Sequence, residues 1–156
     1  MSYPRIFLPA LLLFWAGLLF GVSFLATPVK FQAPSLELPV ALDVGRYTFL
    51  WLNKLEIALA VLLAALLWKG TRNTLVRAGG VAVIGWVAAK ALWALPVLDR
   101  RTELVMTGAQ IPPSPVHDVY VVCELIELVI LLAMGFATLY AHARAMKTPR
   151  AEVRHL

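Results

Sequence analysis

The stretch IFLPALLLFWAGLLFGVSFLA, residues Ile6 to Ala26, contains no charged side chain. As an α-helix with a rise of about 1.5 Å per residue, it would extend over roughly 30 Å, the thickness of the hydrocarbon core of a bilayer. A cleaved secretory signal is the alternative, because Arg5 precedes the apolar run. The run is longer than the apolar core of a signal peptide, however, and no clear A-x-A cleavage site follows it. We therefore expect that this run is not cleaved and forms a membrane-spanning helix, which the prolines after it, Pro28 and Pro34, bring to an end.

Three further apolar blocks follow the first, at about residues 47–68, 75–98 and 118–141. Of the 156 residues, 61% are hydrophobic and only 15% are charged, with a mean hydropathy of +0.80. This composition excludes a disordered chain, a nucleic-acid-binding domain and an ordinary cytosolic enzyme. The sequence predicts an all-α membrane protein, a four-transmembrane-helix bundle forming a single integral membrane domain over residues 1–156.

The distribution of basic residues predicts the orientation of the four spans. Lys and Arg accumulate in the cytoplasmic segments of membrane proteins with short loops. One side of the predicted topology carries the N-terminus, the turn at 69–77 and a basic tail at 142–156. Its charged residues are Arg5, Lys69, Arg72, Arg77, Arg144, Lys147, Arg150 and Arg154, with Glu152 as the single acid. We expect both termini in the cytoplasm and the proline-rich connections, 27–46 and 99–117, outside. Within the first connection, VALDVG (Val40 to Gly45) suggests a short interfacial helix.

Small residues indicate where helices approach closely. Gly17 and Gly21 form a G-x-x-x-G pattern in the first span, a pattern that allows close helix–helix packing in membranes. Small residues also recur in the third span at Gly79, Ala82, Gly85 and Ala89. We favour packing within one bundle over a homo-oligomer formed through Gly17 and Gly21. Aromatic residues near the predicted span ends suit interfacial belts: Tyr47, Trp51, Trp68, Trp93 and Tyr120.

Three spans carry a charged residue at one depth. Glu56 lies nine residues after Tyr47, Lys90 eight residues before Leu98, and Glu127 nine residues after Asp118. Each charge is thus roughly 12–13 Å from the outer end of its span. An isolated ionised group in the hydrocarbon costs at least about 2.5 kcal/mol. We therefore expect Glu56, Lys90 and Glu127 to meet in the interior of the bundle.

A second polar layer is predicted on the outer side of this cluster. His117, Tyr120, Glu124 and Glu127 are spaced three, four and three residues apart, which places them on one stripe of the fourth helix. The other members of the layer are Asn53, which shares the face of Glu56, Asp99 and Arg100 at the end of the third span, and Ser23 and Thr27 at the end of the first. Together they predict a polar funnel that opens outward above an apolar cytoplasmic half.

Several roles remain open for this funnel. Its ligand-binding candidates are Asn53, Glu56, Lys90, Tyr120, Glu124 and Glu127. Carboxylates with one imidazole suit a divalent metal ion, for which His117 and Glu124 are the candidate ligands. The same groups could relay protons or hold the polar head of an amphipathic ligand. The alternative is an ion-pair network that only fixes the register of the helices.

Other chemistries are disfavoured. His117 and His142 are 25 residues apart, about 37 Å along one helix, so they cannot clamp a haem. The H-E-x-x-H, G-x-S-x-G and phosphate-loop motifs are absent from the sequence. An intramembrane enzyme is therefore the least favoured class. The single cysteine, Cys123, lies among valine and leucine residues and excludes an intramolecular disulfide.

Four short motifs carry a family resemblance. These are TPVKF (Thr27 to Phe31), VGRYTF (Val44 to Phe49), PVLDRR (Pro96 to Arg101) and SPVHDVYVV (Ser114 to Val122). Their order and spacing resemble the family of small four-span membrane proteins that includes the eukaryotic transmembrane protein linked to platinum-drug resistance. The matching positions are Pro28, Phe31, Gly45, Arg46, Pro96 and His117. The resemblance implies a four-helix membrane fold and no settled activity; Glu124 and Glu127 depart from the fourth span of that family.

From these observations we interpret the chain as a polytopic protein of the bacterial inner membrane. An outward-facing polar pocket would bind or conduct a cation, a proton or a small polar ligand. The alternative is a structural or assembly subunit whose buried charges hold the bundle or a partner together. The expected surroundings are the lipid bilayer, and no nucleic acid is expected as a partner.

Overall fold

The computed structural model describes residues 4–70 and 73–147, and all regular elements within these ranges are helical. The α-helices are α1 (Pro4–Leu19), α2 (Thr27–Lys30), α3 (Leu38–Gly70), α4 (Thr74–Ala89), α5 (Leu95–Met106) and α6 (Val116–Lys147). Two π-helical segments, Phe20–Ala26 and Lys90–Ala94, join α1 to α2 and α4 to α5 without a break. Residues 148–156, most of the predicted basic tail, lie outside the described residues.

These elements form four long apolar helices. Each is long and apolar enough to cross a bilayer: Ile6–Lys30, Leu38–Trp68, Thr74–Met106 and Val116–Lys147, with 25, 31, 33 and 32 residues. We call them spans 1 to 4. The prediction of an all-α protein with four helices capable of spanning a membrane is confirmed.

The spans extend further than predicted at one end of the bundle. Span 1 does not end at Pro28 but runs to Lys30, and the VALDVG stretch belongs to the long helix α3 rather than to a separate helix. Span 3 likewise continues through Asp99 to Met106. The connections that remain, residues 31–37 and 107–115, lie at this end, which we call the loop end. The opposite end, near Pro4, Thr74 and Lys147, is called the terminal end.

Each π-helical segment lies just before a proline. Pro28 and Pro96 have no backbone N–H, and their rings crowd the carbonyl four residues earlier. The helix widens instead of breaking: the Thr27 N–H bonds to the Val22 carbonyl and the Leu95 N–H to the Lys90 carbonyl, in both cases five residues back. The Thr27 hydroxyl also donates to the Val22 carbonyl at 2.8 Å. These prolines therefore bend and unwind spans 1 and 3 without ending them.

The four spans pack as a bundle in which α1 contacts α3 and α6, and α4 contacts the same two helices. The hydrophobic core of the bundle is formed by side chains of all four spans. Its side chains with no exposed surface are Leu12, Trp15, Leu19, Leu63 and Leu131. The outward faces are also apolar, as shown by Trp68, Leu75 and Leu92, each more than four-fifths exposed. A helix that is apolar on all sides fits a lipid environment.

Three glycines allow the helices to approach closely. A Cβ added at Gly80 would overlap the Leu67 side chain, and one at Gly135 would lie 2.7 Å from the Leu13 Cδ2. A Cβ at Gly79 would lie 2.7 Å from the Met134 sulfur. In contrast, nothing lies within 4 Å of a Cβ added at Gly17 or Gly21, nor at Gly85 in span 3. Our preference for packing of Gly17 and Gly21 inside the bundle was therefore wrong.

Candidate functional site

A cluster of four ionisable side chains lies in the interior of the bundle. The Lys90 ammonium donates hydrogen bonds to Glu56 Oε2 at 2.6 Å, Glu124 Oε1 at 2.7 Å and Glu127 Oε2 at 2.9 Å. None of the four side chains is more than 2% exposed. We call this group the carboxylate cluster.

The structure brings together the three residues that the equal depths predict, Glu56, Lys90 and Glu127. It also adds Glu124, which the sequence places in a separate outer layer. Glu124 and Glu127 are three residues apart and share a face of α6, so two flexible glutamate side chains can converge on one ammonium. Counting backbone positions alone does not reveal this convergence.

Span 1 completes the cluster with two neutral hydrogen-bond donors. The Trp15 indole N–H donates to Glu56 Oε1 at 3.2 Å, and the Ser23 hydroxyl donates to Glu124 Oε2 at 2.8 Å. Ser23 was expected at the polar end of span 1, whereas Trp15 was missed. The available signal was an indole N–H in a charge-free span, since a buried indole usually finds a partner. All four spans therefore contribute to one hydrogen-bonded group.

The charges of the carboxylate cluster do not balance. Three carboxyl groups surround one ammonium, so full ionisation would leave two excess negative charges in a buried site. Glu127 Oε1 is buried and has no hydrogen-bond partner. Burying uncompensated charge is costly, and such sites are usually neutralised by protons or by a cation. One oxygen from each of Glu56, Glu124 and Glu127 lies within 4.8 Å of the others, close enough to share an ion.

A cavity of about 1150 Å³ connects the carboxylate cluster to the loop end. Glu124 is the member of the cluster that lines it, and Ser23, Asn53 and Tyr120 are the other polar residues at its floor. Its rim carries Lys30, Arg46, Asp99 and His117. His117 and Glu124 are seven residues apart on α6, and so are Arg46 and Asn53 on α3, which puts the floor about 10 Å below the rim.

Two floor residues have distinct surroundings. Asn53 is only 6% exposed, and its Nδ2 has no hydrogen-bond partner. The Tyr120 ring packs edge-on against Phe49, with centroids 5.8 Å apart, and at a tilt against Trp86 at 6.2 Å. Tyr120 is therefore an interior residue, so its expected place in an interfacial aromatic belt was wrong; Trp51, Trp68, Trp93 and Tyr47 are all exposed.

The rim is held by an ion pair between spans 2 and 3. The Arg46 guanidinium makes two hydrogen bonds to the Asp99 carboxylate, through Nε to Oδ1 and through Nη2 to Oδ2 at 3.1 Å. Asp99 thus belongs to the interior of span 3 rather than to a cap at its end. The Lys30 ammonium lies over the Phe31 ring, 5.0 Å from its centroid, and also packs against the Cα side of Gly45, where an added Cβ would displace it.

The predicted metal ligands are separated by the structure. His117 is exposed at the rim, whereas Glu124 is buried at the floor. Among the described residues, the group of three or more side chains placed to share a metal ion consists of Glu56, Glu124 and Glu127, without His117. A divalent ion there would compete with the Lys90 ammonium for the same oxygens.

No family model, curated protein or solved structure matches this chain.

Proposed function

We propose that this protein reversibly binds protons on its carboxylate cluster and exchanges them with the cavity. The observation that carries the proposal is the imbalance of three buried carboxyl groups around one ammonium, beside a cavity that reaches the surface. Glu124 lines the cavity and bonds to Lys90, so it is the group through which a proton enters the cluster.

A proton fits the site better than a metal ion. Each carboxylate already accepts a hydrogen bond from Lys90 at 2.6–2.9 Å, and a metal ion bound by the same oxygens would have to displace that ammonium. A proton needs no such rearrangement, because it adds to an oxygen that has a free lone pair, such as Glu127 Oε1.

In this conformation the protein binds protons, but its described residues leave no open path that would conduct them across the bundle. Beyond the carboxylate cluster, α3 from Ile57 to Trp68 and α6 from Leu128 to Ala141 carry no charged residue. Leu12, Leu63 and Leu131 close the interior there, with no exposed surface. Protons therefore exchange from the loop end. The excess of Lys and Arg near the terminal end supports a cytoplasmic location of that end, and hence an outward-facing cavity in a bacterial inner membrane.

Infrared spectroscopy of the purified protein tests proton binding directly. Protonated carboxyl groups give a C=O stretching band that carboxylates lack, and we expect this band near neutral pH in the wild type. Glu127→Gln and Glu124→Gln should reduce it, while Glu103→Gln, which changes an exposed glutamate on α5, should leave it unchanged. If the band is absent and elemental analysis finds a stoichiometric metal ion, the species bound by the carboxylate cluster is a metal cation and not a proton.

A structural role is the second candidate, favoured by the hydrogen bonds that tie all four spans to the carboxylate cluster. In that case Glu127→Gln and Glu56→Gln would lower detergent stability, and the infrared band would not respond to pH. The finer assignments stay predictions: a homo-oligomer through Gly17 and Gly21, and kinship with the four-span family that the sequence resembles.

A further inference from the structure

We infer that the cavity binds an organic cation with an apolar body, whose positive group reaches Glu124 and displaces a proton from the carboxylate cluster. The inference rests on the proposed function, because it names the class of ligand that exchanges with the bound proton. It is carried by the size, the lining and the charge distribution of the cavity.

The cavity is too large for a proton or a bare ion alone. Its volume of about 1150 Å³ is slightly larger than the usual range for sites of small organic molecules, about 300–1000 Å³. The walls between rim and floor are mostly apolar or aromatic, and include Phe24, Phe49, Leu50, Leu95 and Val121. These walls suit a ligand with an apolar body, because contact with them removes the apolar surface of the ligand from water.

The floor selects the charge of the ligand. Glu124 is 1% exposed, belongs to a group with more carboxyl groups than ammonium groups, and lines the cavity. An anion would be repelled there, whereas a cation supplies the charge that the carboxylate cluster lacks. At the rim the Arg46 charge is matched by Asp99 and the Lys30 ammonium adds a further positive charge, so a cation is favoured at the floor rather than at the rim.

Asn53 provides an independent sign of a ligand. Its side chain lines the cavity beside the floor, is 6% exposed, and has an amide nitrogen without a partner. Buried polar groups are nearly always hydrogen-bonded, so an unpaired amide at the floor of an open cavity marks a position that a ligand or its water fills.

The exchange conserves charge and protons. The cation enters with its single positive charge, a protonated carboxyl group of the carboxylate cluster releases one proton to the cavity through Glu124, and the negative charge left on the cluster balances the cation. The charged groups around this step are Lys90, Glu56 and Glu127 in the cluster, and Lys30, Arg46, Asp99 and His117 at the rim. No bond to carbon is made or broken.

The test uses two probes of nearly the same shape and opposite charge, tetraphenylphosphonium and tetraphenylborate, with the full chain in lipid nanodiscs. We expect saturable binding of the phosphonium and none of the borate. Val121→Trp narrows the cavity on the face of Glu124, and Glu124→Gln removes its charge. Glu124→Gln should weaken phosphonium binding by about tenfold or more, because it removes a negative charge that attracts the cation. Val121→Trp should weaken it to a similar extent, because the larger side chain fills space that the phenyl groups need. Glu103→Gln, as the control, should bind like the wild type.

The infrared band distinguishes proton binding by the carboxylate cluster from binding of an organic cation in the cavity. Loss of the protonated-carboxyl band on adding phosphonium, with a matching release of protons, is the expected result. If the band is present but borate binds equally well, or Val121→Trp binds phosphonium like the wild type, the inference is overturned and the proposed function stands. If no protonated carboxyl is found under any condition, the proposed function fails, and with it the exchange.

Discussion

Lys90 keeps three carboxyl groups within hydrogen-bonding distance of one atom. Its Nζ is the shared donor to Glu56, Glu124 and Glu127, and the lysine side chain has no exposed surface. Without this ammonium the three groups would have no positive charge among the residues that bond to them. The neutral side chains of Trp15 and Ser23 also donate hydrogen bonds to Glu56 and Glu124, but they bring no positive charge.

We expect Lys90→Met to lower the free energy of unfolding by about 3–5 kcal/mol near neutral pH, because it leaves buried carboxylates unpaired. The loss should become smaller as the pH falls, since protonation neutralises those carboxylates and removes the uncompensated charge. Thermal unfolding in detergent over a pH series measures both effects. Lys54→Met, at an exposed position on the membrane-spanning helix α3, is the matched control. An equal loss of stability in the two variants would contradict the pairing of Lys90 with the buried carboxylates.

At this scale the sequence reveals part of the site. Glu56, Lys90 and Glu127 could be predicted to meet, because depth along a helix follows from residue count alone. Glu124 could not be placed in the same group, because the height of a carboxylate depends on side-chain rotamers as well as on the backbone. The Asn53 amide nitrogen lacks a hydrogen-bond partner because no acceptor on the neighbouring side chains reaches it, and only the folded structure shows this.

At the scale of the element, the two π-helical segments determine which side chains face inward. A π turn contains an extra residue, so it rotates the helix that follows relative to the helix before it. In span 3 this lets Lys90, at the start of the segment, face the carboxylate cluster while Asp99, on α5, faces Arg46. Composition predicted the spans but not their full length. Pro28 was expected to end span 1, and span 3 was expected to end at the charged residues after Leu98, although its helix continues to Met106.

We expect Pro96→Ala to reduce stability, although alanine is favoured over proline within a helix by about 3 kcal/mol. The new N–H allows regular α-helical bonding, which rotates Lys90 and Asp99 relative to each other so that both cannot keep their partners. Thermal unfolding in detergent measures the change. Pro39→Ala, at the start of α3 where the missing N–H has no helical partner to lose, should be close to neutral. A stabilised Pro96→Ala variant would show that the bend is not needed.

For the whole molecule, polarity is concentrated in the half towards the loop end. The cavity, the carboxylate cluster and the Arg46–Asp99 pair all lie there, and the terminal half is closed by apolar side chains. The asymmetry of basic residues could be read from sequence alone, whereas the cavity could not, since its volume depends on how the four spans fit together.

The proposed orientation is tested by labelling with a membrane-impermeant maleimide in intact bacterial cells. In a Cys123→Ser background we expect a cysteine at Ser114, in the connection at the loop end, to react. A cysteine replacing Thr74, at the start of α4 near the terminal end, should react only after the cells are opened. The reverse pattern would place the cavity on the cytoplasmic side and would contradict the orientation inferred from the excess of Lys and Arg near the terminal end.

The outward-facing glycines of span 1 lead to a prediction about assembly. Gly17 and Gly21 leave open space where a Cβ would be, and their helix presents Phe14 and Phe20 to the outside, at 60% and 52% exposure. Such a surface lets a second copy of the helix approach closely, as in G-x-x-x-G pairs. We expect the wild type to form dimers in nanodiscs or mild detergent, and Gly17→Leu to shift them to monomers in light-scattering measurements. Gly85→Leu, at another open glycine whose counterpart four residues later is Ala89 rather than a second glycine, should remain dimeric; a monomeric wild type, or a Gly17→Leu variant that dimerises equally well, would show that this face meets only lipid.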